Sequence, residues 1–129
     1  MATKIKYFED LEIWQKATDA AVAIFEISEK GKLGRDYGSR DQIRRAVFSI
    51  SNNIAEGFEY NNNTEFLRFL KYAKGSCGEV RNQLFILKRV EHLSEDFYMK
   101  MYSQLIELSQ QIANFMKYLK IFESRKKKK

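Results

Sequence analysis

Residues 65 to 91 hold a run of apolar side chains that leaves little choice of fold. Leu70, Ala73, Cys77, Val80, Leu84 and Leu87 follow one another at alternating intervals of three and four. A strand would alternate at two. This spacing is the seam of a helix packed alongside others in a left-handed bundle. The chain has no proline and only 6 glycines in 129 residues, so the residues that most strongly interrupt helices are scarce.

Similar stripes recur on either side. Leu11, Trp14, Ala17 or Thr18, Ala21, and Ile24 or Phe25 predict a first helix over about residues 8–29. Ile43, Val47, Ile50 and Ile54 share one face of a second, over about 39–58. Gly57 lies near its end, where glycine can take the left-handed cap conformation. A Tyr60–Asn63 turn with Thr64 as N-cap leads to the third helix, over about 65–91. Ser94 caps a fourth over about 95–122, with Glu95 and Asp96 favourably placed against its dipole. Leu105, Leu108, Ile112, Phe115 and Leu119 form its stripe. Gly31, Gly34 and Gly38 punctuate a charged break between the first two helices.

Short links between four amphipathic helices predict an all-α fold, an antiparallel up-down four-helix bundle, in one domain over residues 1–124. The basic stretch 125–129 has no cap and no apolar content, so it is expected to be disordered or a frayed helix end. Gly75 and Gly78 lie inside the third helix. Each costs about 1 kcal/mol relative to Ala there, and close approach of a neighbouring helix is the simplest compensation.

Composition narrows the chemistry. One cysteine and one histidine allow neither an intrachain disulfide nor a thiolate metal site. Cys77 occupies the apolar seam and reads as a buried thiol. Ser76 has no local base or oxyanion loop, and His92, at a turn, has no acidic partner at catalytic spacing. No catalytic residue, metal or cofactor is expected, and the chain reads as a non-enzyme. The opening MATKIKYFED lacks the apolar core of a signal peptide, and no apolar run nears the roughly 20 residues of a membrane span. A cytoplasmic protein without membrane contact is the expectation.

The net charge of +6 is unevenly spread. Arg125, Lys126, Lys127, Lys128 and Lys129 carry five positive charges, which leaves the body at +1. Two body segments remain basic: residues 30–45, with six Lys/Arg against Asp36 and Asp41, and residues 68–89, with six against Glu79 alone. In the second, Lys74, Arg81 and Lys88 are spaced by sevens, with Lys71 just before them. Lys74, Arg81 and Lys88 share the position that flanks the apolar seam. Such a row attracts a nucleic-acid backbone without reading its sequence, and equally describes snorkelling side chains on a solvated face. The tail can add phosphate contacts or serve only solubility.

Arg45, Ser49, Asn52 and Glu56 form a polar stripe beside the apolar face of the second helix. Its favoured reading is structural, with Arg44 or Arg45 pairing with Glu56 or Glu79 across helices to fix register. A phosphate grip is the alternative, and carboxylates work against it. Phe8, Trp14, Phe25 and Tyr37 can stack bases, but aromatics at helical spacing are more often core or interface.

Several of these residues carry a resemblance over most of the chain. The segments are Phe8–Ala17, Tyr37-Gly38, Gln42-Ile43-Arg44-Arg45-Ala46, Ser49-Ile50, Asn53-Ile54-Ala55-Glu56-Gly57, and Phe66, Phe69-Leu70, Ala73, Gly75-Ser76 and Glu79. Together they resemble the four-helix-bundle proteins encoded in intervening sequences of bacterial large-subunit (23S) ribosomal RNA genes. Ser51 stands where that family usually has proline, and Asn52 where it usually has serine, which reduces any kink in the second helix. The lysine tail is not part of the family pattern. The resemblance implies a homopentamer and a kinship with accessory variability proteins of diversity-generating retroelements, which bind nucleic acid and a reverse transcriptase. It brings no established biochemical activity. The expectation is an oligomeric scaffold that binds structured RNA or DNA through its basic surface; the alternative is an adaptor that docks a reverse transcriptase or another nucleic-acid enzyme.

Overall fold

The computed structural model describes residues 5–127, and among these every regular element is helical. A 3-10 turn, Phe8–Asp10, leads into α1, Glu12–Ser28. A short α2, Gly31–Arg35, precedes three long helices: α3, Tyr37–Glu59; α4, Asn63–Arg89; and α5, Glu95–Lys127. No helix among the described residues is long and apolar enough to cross a membrane.

The helix ends follow from local chemistry. Gly31 has φ +59°, the left-handed region that glycine enters at least cost, and it turns the chain from α1 into α2. Leu33, only 1% exposed, anchors this short helix in the core. The expected glycine-rich break is thus partly helical; five residues are too few to show a stripe. Asp36 caps α3, its Oδ1 accepting from the Ser39 amide at 3.2 Å. Asn62, rather than Thr64, caps α4, its Oδ1 accepting from the Glu65 amide at 3.0 Å. Ser94 caps α5 as expected, its Oγ accepting from the Phe97 amide at 3.1 Å.

The helix α5 continues through Arg125 and Lys126 to Lys127, five residues past the expected helix end at about 122 and into the segment expected to be disordered or a frayed helix end. Lys and Arg are good helix formers, and their charge complements the carbonyl end of the dipole. Lys128 and Lys129 lie outside the described residues.

Packing joins the four long helices in a closed circuit: α1 lies against α3 and α5, and α4 lies against the same two. Side-chain pairs fix the registers. Between α3 and α4, Gln83 Nε2 donates to Gln42 Oε1 at 3.3 Å, Ser49 Oγ donates to Ser76 Oγ at 2.6 Å, and the Phe58 and Phe66 rings meet at 5.8 Å. Between α1 and α3, the Phe25 and Phe48 rings stack at 6.1 Å. Between α4 and α5, Arg81 lies over the Tyr102 ring and Lys88 reaches Glu95.

The apolar stripes meet inside this circuit. Leu70, Ala73, Cys77, Val80 and Leu84 of α4 are fully buried, as are Ile50 and Ile54 of α3 and Leu105 and Ile112 of α5. Each large aliphatic group removed from water contributes about 1.5–3 kcal/mol before entropy is set against it.

The glycines exchange their expected roles. Gly57 is buried inside α3, where a Cβ would come 2.6 Å from Phe69 Cβ and 3.1 Å from Phe66 Cδ1. It permits the close approach of α3 and α4 and is not the left-handed residue; that is Asn61, with φ 53°. A Cβ at Gly75 or Gly78 would meet nothing within 4 Å, so no neighbouring helix of the same chain approaches them.

Candidate nucleic-acid interface

Lys74, Arg81 and Lys88 fall on the edge of α4 that turns toward α5, as their seven-residue spacing predicts. The structure divides them. Arg81 is half-buried, its guanidinium 5.7 Å from the centre of the Tyr102 ring and its Nε buried without a hydrogen-bond partner. Lys88 Nζ lies 5.0 Å from the centres of both the Phe85 and Tyr98 rings and 3.6 Å from Glu95 Oε1. Cation–π contacts of this kind hold a charge against a surface at about 0.5–2 kcal/mol each. Both residues therefore serve the α4–α5 seam. Lys71 and Lys74 are exposed and form no ion pair among the described residues.

At the far end of α5, Arg125 and Lys126 are exposed, with a loose 3.9 Å contact from Lys126 Nζ to Glu123 Oε2. Lys117 and Lys120 are also exposed on the same helix and extend the basic end back by two turns. The sequence reading passed over them because they are interleaved with the apolar stripe through Phe115 and Leu119. Their three-residue spacing from one another was the available signal.

The polar network takes another form than the one expected. Among the described residues neither Arg44 nor Arg45 pairs with Glu56 or Glu79. Arg44 Nε donates to Ser28 Oγ at 2.7 Å, with its guanidinium 4.0 Å from the centre of the Phe25 ring. Ser28 is itself fully buried. Arg45, Glu56 and Glu79 are all exposed. A half-buried arginine gains more from a fixed hydroxyl and a ring face than from a carboxylate that water already solvates. Arg44 thus keeps its structural role, with α1 as the partner.

His92 carries the contact that the sequence hid. Its Nε2 lies 3.0 Å from Asp36 Oδ2. An ionised carboxylate only accepts, so Nε2 bears the hydrogen in this contact. Ser39 Oγ donates to the same oxygen at 2.9 Å. The Ser39 backbone amide, then His92 and the Ser39 hydroxyl, hold the Asp36 carboxyl below the ordinary carboxylate range. Histidine and serine both bind the acid and not each other, so the trio ties the α4–α5 turn to the start of α3 and does not form a nucleophilic relay.

Burial pushes the Cys77 thiol up to about 11, with Arg81 and Lys74 opposing, so it remains an inert core group at neutral pH. Phe8 packs on Trp14 at 5.4 Å, and both rings are half-buried against the core. Tyr37 is exposed, with Arg40 over its ring at 4.7 Å. No group of three or more His, Cys, Asp or Glu among the described residues is placed to hold a metal ion.

An all-helical protein with one basic edge and a basic helix end is the class that these features define. The chain belongs to the 23S rRNA-intervening sequence protein family, whose profile matches residues 9–114; the basic end of α5 lies beyond the match. The fold is similar to the crystal structure, at 1.70 Å, of a protein of unknown function from the S23 ribosomal protein family of Bacteroides thetaiotaomicron. The TM-score is 0.75 at 22% identity, over 81% of this chain and 95% of that one. No curated protein sequence matches the chain.

Proposed function

We propose that the protein is a non-enzymatic scaffold that binds the phosphate backbone of structured RNA or DNA. The helix registers support an antiparallel up-down four-helix bundle as its protomer, and copies gather in the ring of five that the family resemblance implies. The observation that carries the reading is the pair Lys71 and Lys74, exposed and unpaired on a helix segment whose only carboxylate between residues 68 and 89 is Glu79. Lys117, Lys120, Arg125 and Lys126 add a second basic zone. Each protomer is weakly basic, so repetition around a ring multiplies modest contacts into useful affinity.

The test is binding to a structured RNA and a DNA duplex at several salt concentrations. Each phosphate contact contributes about 0.9 to the log–log salt slope on duplex DNA, so Lys71→Ala with Lys74→Ala lowers the slope by about 2. Absence of binding at about 50 mM salt overturns the reading. It would favour the rival one, docking of a reverse transcriptase or another nucleic-acid enzyme related to retroelement machinery, for which the exposed apolar groups of α4 are the natural contact.

A further inference from the structure

We propose that the aromatic cleft at the far end of α5 seats one unpaired nucleobase, with Lys126 at its mouth taking the phosphate of the same nucleotide. This rests on the nucleic-acid reading put forward above and names the part of the strand that the cleft takes: a single-stranded end or loop, not the continuous duplex.

The cleft holds about 700 Å³, within the range of small-molecule sites. It opens where the chain turns from α3 into α4 and α5 runs out beside that turn. Leu11 and Leu119, both buried, contribute its aliphatic part. The rest of its apolar lining is chiefly a chain of rings. Phe66 meets Phe58 edge-on at 5.8 Å and Phe115 edge-on at 5.6 Å. Phe115 stacks with Tyr118 at 6.1 Å, and Tyr118 leads on to Phe122 at 6.4 Å. The inner rings pack on the core. Tyr118 and Phe122, at the outer end, are 37% and 39% exposed. The apolar stripe of α5 thus runs past Leu119 to rings that the core does not bury. Phe115, Tyr118, Phe122 and Lys126 all lie beyond the residues that match the family.

Polar groups complete the lining in the pattern that a nucleotide needs. Asn61 lines the cleft, and its side-chain amide has no hydrogen-bond partner among the described residues. It offers a donor and an acceptor to the edge of a base. Asn62 also lines the cleft and keeps its Nδ2 as a donor while Oδ1 caps α4. Lys126 lines it too, one turn past Phe122, with Nζ 5.9 Å from the centre of that ring. The nearby carboxylate of Glu123 is drawn aside: its Oε2 accepts from Asn63 Nδ2 at 2.8 Å and reaches Lys126 only loosely, at 3.9 Å. An acyl chain would leave the amides unanswered. A base on its phosphate answers the ring faces, the amides and the ammonium together. Inside a duplex both faces of a base are already stacked, so the occupant is a base that has left the stack or never joined it.

The test compares a blunt DNA duplex with the same duplex carrying a short single-stranded extension that contains 2-aminopurine, an adenine analogue whose emission falls when it stacks. Affinity is read by anisotropy. The extended duplex should bind about fivefold or more tightly than the blunt one, with a fall in emission. Tyr118→Ala with Phe122→Ala, checked for folding by circular dichroism, should erase both effects and leave the blunt duplex at its wild-type affinity and salt slope. Tyr118→Phe with Phe122→Tyr should keep both effects, since ring faces are what the seat requires. Equal binding of the two duplexes by the wild-type protein, with unchanged emission, overturns this inference alone and leaves backbone binding standing. Calorimetry with AMP separates the two sources of a base: AMP that binds while the extension gains nothing makes the ligand a free nucleotide and overturns the strand assignment. Absence of binding to either duplex at about 50 mM salt overturns both readings.

Discussion

Gly57, Gly75 and Gly78 are the same residue in three helical settings that place opposite demands on it. At Gly57 an added methyl would sit 2.6 Å from Phe69 Cβ, an atom fixed to the backbone. Gly57→Ala is expected to destabilise by about 1–2 kcal/mol, the overpacking strain exceeding the gain in helix propensity. At Gly75 the space is open, and Gly75→Ala should stabilise the isolated protomer by about 0.5–1 kcal/mol. Urea denaturation of the two variants measures both, and the signs should be opposite. Spacing along the chain shows that a glycine interrupts a helix; it does not show which neighbour lies across from it. Cys77, by contrast, was legible from the seam alone. Its thiol, raised to about 11 by burial, should resist a disulfide reagent at pH 7.5 in the native protein and react promptly in 8 M urea; prompt native reaction would show that the α4 core opens readily.

At the scale of elements, the long helices were readable because each buries one stripe over at least four turns, and the heptad of α4 names its core residue by residue. The link to α3 was not readable, since Asp36 and His92 are 56 positions apart. That link gives the fold a pH dependence whose sign is set. The Asp36 carboxyl is held below its usual value by the Ser39 amide, then by His92 and the Ser39 hydroxyl. Its contribution is therefore present above the unfolded-chain value of about 4 and is lost as pH falls through the lower folded value. Asp36→Asn should be less stable than wild type at pH 7, and the difference should shrink as pH approaches 3. Denaturant midpoints across that range check it, and a difference that grows on acidification would reverse the assignment.

For the whole molecule, the segregation of charge was visible in composition, but how each charge is used was not. The α4 cations looked equivalent at seven-residue spacing, yet Arg81 and Lys88 are taken up by Tyr102, Tyr98 and Glu95, while Lys71 and Lys74 remain open. Aromatic residues on the facing helix made the difference, and a single-helix pattern does not contain them. The basic end of α5 belongs to this scale because it lies past Leu119, the last fully packed position of the helix. Removal of residues 125–129 should leave the thermal midpoint within a few degrees of wild type. It should lower the salt slope of nucleic-acid binding by at most about 4–5, one counterion for each lost charge. An unchanged slope would assign the tail to solubility.

The seam between α3 and α4 is keyed at three separated points, Gln42 with Gln83, Ser49 with Ser76, and Phe58 with Phe66. Sliding one helix along the other by a single turn would break all three together and place hydroxyls against aliphatic groups. Under mechanical load along the helix axes, this hairpin therefore has no intermediate notch in which to rest. Force applied between its two ends, which lie side by side near Gln42 and Gln83, should instead open the three keys one after another.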